Sequence, residues 1–232
     1  SMIGDLQRYK VFGKPLWLTE FCAWDGTSSS AAQCQFMVQS INYLEQDDDL
    51  ERYAWFIPRW NQATESAPFM QLITKAKPYE LTERGILFVN MSTFDKNAVY
   101  PCGKRIPAEH YRACSIDDSY ASPAVSLCTD VNGILQIDGL ALKQWMDYKI
   151  NILSGVKDFQ IRYTATRDSE ITIYRVDENG NETALQTIAL PSTASKTAWT
   201  TLTESFTPEA GEQVLRLKCT KGLPRINWFK LK

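Results

Sequence analysis

The sequence predicts two fold classes in succession, α/β over the first 103 residues and an all-β sandwich of the jelly-roll type over 104–232. Three observations carry this expectation. Before residue 100, continuous apolar runs bounded by Gly and Pro alternate with stretches of helical spacing, the pattern of βα units with a parallel sheet. From about Tyr148 the period changes to short alternating runs with no helical stretch between them. The length of 232 residues suits two ordinary domains of about 100 to 150 residues better than one.

The elements follow in order. "MIGDLQRYKVF" over 2–12 reads as the end of a helix stopped by Gly13 and followed by Pro15. The run Leu16–Phe21 reads as a strand buried on both faces. "DGTSSS" then supplies N-cap residues, and "AAQCQFMVQSINYL" sets Phe36, Met37, Ile41 and Leu44 at helical spacing until Asp47, Asp48 and Asp49 form a solvated turn. "RYAWFIPRW" from Arg52 to Trp60 reads as a second apolar strand, and "LTERGILFVNMSTF" as a helix interrupted by Gly85. Two such units cannot cover their own strand faces, and open apolar face costs about 25 cal/mol per Å². Either the rest of a barrel or another chain is expected to cover them, and an exposed barrel edge is open to self-association.

In the second part the strands read as "YKINIL", "FQIRYTAT", "EITIYRV", "TALQTIAL", "AWTTLTESF", "QVLRLKC" and "RINWFKL". The "ENGNE" stretch, with Asn179-Gly180, is a hairpin signal, because both residues tolerate positive φ.

Composition excludes several functions. With 25 Lys and Arg against 27 Asp and Glu, the chain has no basic footprint for nucleic acid or a membrane surface. No apolar stretch approaches the length of a membrane span, and no export signal is read in the sequence itself. The six cysteines form no CxxC pair and His110 is the single histidine, so neither a zinc constellation nor a Ser-His-Asp site is expected. Carboxylates are the better candidates for acid or base chemistry. Glu20 ends the apolar run Leu16–Phe21, with Phe21 and Trp24 beside it, where barrel strands present catalytic groups. A Thr-Glu pair in that place is equally what a helix cap or a surface charge looks like.

"KPLWLTEFCAWDG", a helix, and then "LERYAWFIPRW" resemble the last two βα units of the (β/α)8 catalytic barrel of glycoside hydrolase family 128, a group of β-1,3-glucanases. The resemblance covers roughly residues 2–97 and implies an incomplete barrel end. It implies that Glu20 is the nucleophile of a retaining mechanism, and that Trp55, with Trp24 and Trp60, lines the sugar site. Retention needs a second carboxyl about 5 Å away as acid and base. The family carries it on the fourth barrel strand, which has no counterpart here, and Glu45, Glu51 and Glu65 lie at helix ends or in loops.

Residues 104–232 resemble a family 6 carbohydrate-binding module through "IPAEHY", "QWMDYKINI", "AWTTLTESF" and "INWFKLK". The resemblance implies a sugar clamp of two aromatics and an asparagine, at positions that here hold Gln136 (or Leu135), Lys196 and Arg225. It implies a structural calcium on Glu109, although Pro107 and Asn227 replace two of its partners. Trp145, Tyr148, Trp199 and Trp228 read as core residues. The expected function is part of a retaining endo-β-1,3-glucanase, secreted or at the cell surface, with a polysaccharide or oligosaccharide partner. The alternatives are a non-catalytic β-glucan-binding protein and a purely structural accessory domain.

Overall fold

The computed structural model describes residues 2–24, 29–59, 67, 69–92 and 94–232. They divide into two units, Ser1–Val89 and Asn90–Lys232.

In the first unit, helix α1 (Met2–Tyr9) tightens into a 3₁₀ turn over Lys10–Phe12 and stops at Gly13, whose φ of 57° lets its N–H reach the Lys10 carbonyl. Strand β1 (Leu16–Phe21) leads to helix α2 (Ser30–Leu44), where the Ser29 side chain accepts from the Ala32 N–H as the N-cap. Strand β2 (Leu50–Trp55) pairs in parallel with β1, from Leu16 opposite Leu50 to Phe21 opposite Trp55. On the face toward α2, Phe21 meets Trp55 edge-on at 5.2 Å and Phe36 packs against Trp55 at 6.4 Å.

This differs from the expected strand buried on both faces. Within β1 only Phe21 is buried, and Leu16 and Leu18 are half-buried. The second strand also starts earlier and ends sooner than its apolar run suggests, at Trp55, and Trp60 lies outside the described residues. Helix α3 (Glu83–Asn90) carries Gly85 inside it for a packing reason: a Cβ there would sit 2.1 Å from the Leu72 carbonyl oxygen.

The second unit is a sandwich of two six-stranded sheets. Its strands are β3 (Tyr100–Pro101), β4 (Ile106–Pro107), β5 (Ala113–Cys114), β6 (Val125–Leu127), β7 (Leu135–Ile137), β8 (Trp145–Ile152), β9 (Asp158–Thr164), β10 (Ser169–Val176), β11 (Glu182–Leu190), β12 (Thr200–Ser205), β13 (Gly211–Lys221) and β14 (Arg225–Leu231). One sheet runs β11-β10-β13-β8-β3 with β5 on β8, and the other β12-β9-β14-β7-β6 with β4 on β14. Alternation along each long strand sends one set of side chains inward. Tyr148, Ile150, Leu215 and Ile173 thus meet Phe159, Ile161, Ile226 and Phe229, all essentially inaccessible to solvent. Tyr148 packs edge-on against Phe229 at 4.7 Å, and its hydroxyl donates to the Ala108 carbonyl at 2.5 Å, so the one polar atom it buries there is satisfied.

The β10–β11 turn departs from the expected mechanism. Only Gly180 has positive φ, at 82°, while the Asp177 carboxylate accepts from the backbone N–H groups of Asn179 and Asn181. An Asx-type cap, rather than a two-residue Asn-Gly turn, closes this hairpin.

Gly222 joins β13 to β14 at φ 82°, and a Cβ there would meet Ser169 Oγ at 2.1 Å and Ser169 Cα at 2.7 Å. Ser169 Oγ already accepts from the Leu223 N–H at 3.2 Å. Gly222→Ala is expected to destabilise the sandwich by about 2 kcal/mol or more. Gly180→Ala, with nothing within 4 Å of its Cβ, should cost about half of that. Urea midpoints followed by near-UV circular dichroism compare the two.

Candidate functional site

Glu20 lies at the carboxyl end of β1, exposed, within the register shift between Leu18 and Phe21. No described residue hydrogen-bonds or ion-pairs with its carboxylate. Trp24, half exposed, tilts against Phe56 at 6.1 Å just beyond the strand ends, an aromatic pair that the Trp positions alone did not reveal. Trp55 is only 5 % exposed, and its indole N–H donates to the Met70 carbonyl at 2.7 Å, so it packs inside the unit. Of the other carboxylates, Glu45, Asp47, Asp49 and Glu51 gather at the amino ends of the strands, where the Asp49 carbonyl accepts from the Leu16 N–H. That is roughly 13 Å from Glu20 along the strand. Glu65 lies outside the described residues.

In the sandwich, the three positions of the expected aromatic clamp are otherwise occupied. Gln136 is buried and accepts the Thr129 N–H at 3.0 Å, Lys196 is exposed, and Arg225 donates to Asp138 at 2.5 Å. None of the three presents a flat apolar plane to a sugar ring.

The outer face of the β8–β13 sheet offers a different surface. Along β8, Trp145, Asp147 and Lys149 point outward between the inward Met146, Tyr148 and Ile150. They border a groove of about 800 Å³ whose walls also include Arg112, Arg216 and the β10–β11 turn. Arg216 donates to both Asp147 oxygens, at 2.7 and 2.8 Å, and through its third nitrogen to Glu182 at 2.7 Å. Its guanidinium also lies 3.5 Å over the Trp145 ring. Burial pushes the Asp147 carboxyl up and outweighs the pull of Arg216 in the other direction. Lys149 pairs with Glu212 at 2.6 Å. A groove of fixed donors and acceptors beside an indole can hold a hydroxyl-rich ligand by hydrogen bonds. The single-strand pattern hid it, because outward Trp145 differs from a core tryptophan only by what β13, about 70 positions later, puts over it. Tyr148 is a core residue as expected, whereas Trp145, Trp199 and Trp228 are half-buried.

Glu109 sits beneath the β6–β7 loop, 4 % exposed, with backbone N–H groups of Glu109 and Leu135 on its carboxyl and the Oε2 atom without a hydrogen-bond partner among the described residues. The side chains around it offer few of the six to eight oxygens that calcium takes. Pro107 has no side-chain oxygen, Asn227 turns its amide N–H groups toward Asp130 at 2.8 Å, and no three His, Cys, Asp or Glu among the described residues cluster to hold a metal. Asp130 is instead tied to Arg162 by two hydrogen bonds of 2.8 Å. Burial moves Glu109 up from its ordinary value of 4.5 to about 7, against the two amides that favour the ionised form.

The two units are those of a carbohydrate-active protein, a catalytic-core-like region followed by a sugar-binding type of sandwich. Residues 1–88 match the family model described as glycosyl hydrolase catalytic core, and residues 108–232 match that of carbohydrate binding module family 6. The chain belongs to the family 6 carbohydrate-binding modules by this match over more than half of its length. A β-1,3-glucan binding module of Bacillus halodurans is similar at 20 % identity and a TM-score of 0.50, over 58 % of this chain and 99 % of its own. A module of Cellvibrio mixtus lichenase 5A, in complex with cellotriose, is 23 % identical over 56 % of this chain and 97 % of its own, with a TM-score of 0.49. One from Clostridium stercorarium, in complex with cellobiose, is 19 % identical over 59 % and 98 %, with a TM-score of 0.49. No curated protein matches the chain.

The unfolded chain releases the Glu109 proton near 4.5 and the folded chain near 7, so between these values the unfolded state binds fewer protons and stability falls as pH rises. The loss should total about 3 kcal/mol and level off above pH 7. Glu109→Gln should remove this component, and unfolding midpoints from pH 4 to 8 of both proteins measure it.

Proposed function

We propose that this chain is the glycan-engaging part of a secreted or cell-surface retaining endo-β-1,3-glucanase of the family 128 type. In this reading the sandwich holds the polysaccharide at its sheet-face groove, and Glu20 is the nucleophilic carboxylate of a (β/α)8-barrel site. The observation that supports it most is the placement of Glu20: exposed at the carboxyl end of a parallel strand, beside the Trp24–Phe56 pair, in the region matched by the catalytic-core model. The β-1,3-glucan rests on the "WLTEF" and "YAWF" motifs; the fold shared with the Bacillus halodurans module is compatible with it.

Retaining hydrolysis would proceed by attack of Glu20 on the anomeric carbon while a second carboxyl, about 5 Å away, protonates the leaving oxygen. The described acidic residues at the amino ends of β1 and β2 are too far for that role. Without general acid help the step loses about 10² to 10⁴ in rate. In this reading the chain without an acid partner binds glucan and does not cut it, which is also the behaviour of a non-catalytic glucan-binding protein.

Titration calorimetry with laminari-oligosaccharides, beside a reducing-sugar assay on the same samples, tests this reading. Binding should be unchanged in Glu20→Gln, at least about 10-fold weaker in Trp145→Ala, and accompanied by no sugar release. Release abolished by Glu20→Gln would place a working acid partner in the chain. No binding by any variant would leave the sandwich a structural accessory.

A further inference from the structure

We infer that the sheet-face groove selects a sugar carrying a single carboxylate, which the Arg112 guanidinium receives; this rests on the reading of that groove as the glycan site of the sandwich. Among the cations that line the groove, all but one are matched by a carboxylate. Arg216 is shared between Asp147 and Glu182, Lys149 pairs with Glu212 at 2.6 Å, and Arg175 with Glu209 at 2.7 Å. Arg112 lines the same groove, half-buried, and among the described residues its guanidinium has no hydrogen bond and no ion pair. Asp147, on which its charge acts, already gives both oxygens to Arg216 at 2.7 and 2.8 Å. The Arg112 backbone is fixed beside the groove by its N–H donating to the Asp147 carbonyl at 2.9 Å.

A cation partly withdrawn from water without a counter-charge gains most from an anion brought to it, and the planar guanidinium fork matches a carboxylate with two parallel hydrogen bonds. The indole cannot compete freely for a neutral ring, because Arg216 covers one face of Trp145 at 3.5 Å. The opposite end of the groove sets the limit on charge. Asp177 and Glu178 line it at the β10–β11 turn, so a uniformly acidic polymer would meet like charges there. An isolated uronic acid within an otherwise neutral glycan satisfies both ends.

The test compares laminaribiose with its uronic acid counterpart, glucuronosyl-β-1,3-glucose, which differs only in a carboxylate in place of a hydroxymethyl group. Calorimetry on the full chain should give the acid an affinity about 10- to 100-fold above the neutral sugar. The preference should shrink as salt is raised from about 0.05 to 0.5 M. Arg112→Met should abolish it, the acid and the neutral sugar then binding alike to the folded variant, and Arg112→Lys should retain part of it. Trigalacturonate, acidic on every ring, should bind no better than the neutral sugar. Equal binding of acid and neutral sugar, or a preference that survives in Arg112→Met, overturns the inference and leaves the glycan-binding reading standing. Binding of neither sugar overturns both.

Discussion

The pairing of Asp147 with Arg216 sets the character of the sandwich's outer face. Asp147 is almost wholly withdrawn from water on a strand whose other face belongs to the core, so its charge has to be met from the neighbouring strand. Arg216 stands directly opposite it in the β8–β13 register and meets both oxygens. Removing one partner of such a pair leaves a buried charge and costs several kcal/mol, about 3 to 5, so the two positions are bound to each other more tightly than to any function. From this pair the rest of the face follows. Glu182 balances the remaining guanidinium nitrogen, Lys218 balances Glu182 at 2.9 Å, and Trp145 lies under the same guanidinium. The outer surface of β8 and β13 is therefore pre-organised before any ligand arrives, and hydrogen-bonding groups held in place lose little freedom when one binds.

The loop end of the same sandwich has taken the opposite course. Arg225 is held by Asp138, Gln136 turns inward to the Thr129 amide, and Asp130 is cross-linked to Arg162 and Asn227. These contacts tie the β6–β7 loop to β9 and β14 by side chains alone. Asn227 is central to this arrangement, because an amide can donate to Asp130 where a carboxylate would repel it.

What could be read from the sequence followed the strength of local periodicity. Leu16–Phe21 and Arg225–Leu231 appear within the boundaries the apolar pattern suggests, because each is a run of six or seven residues ended by turn residues. Pairs such as Tyr100–Pro101 and Ala113–Cys114 carry no period at all; they are strands only because β8 offers them a neighbour. The place of Glu20 at a strand end was legible. The depth of Trp55 was not, since the packing of Phe21 and Phe36 around it comes from elements distant in sequence. The groove was invisible for the same reason: the partners of Trp145 and Asp147 lie on a strand some 70 positions later. The single positive φ at Gly180 shows the limit on a finer scale, because Asn-Gly admits several turns and the Asp177 carboxylate decided among them.

The open flanks of β1 and β2 have a consequence in time as well as in space. Among the described residues each of these strands has one hydrogen-bonded neighbour, so a small separation of the pair exposes every inter-strand amide at once. Strands β8 and β13, by contrast, are held on both sides and lose their protection only when the sandwich itself opens. The same polypeptide thus keeps two clocks for proton exchange with solvent, a fast one in the sheet that carries Glu20 and a slow one in the sheet that carries the groove.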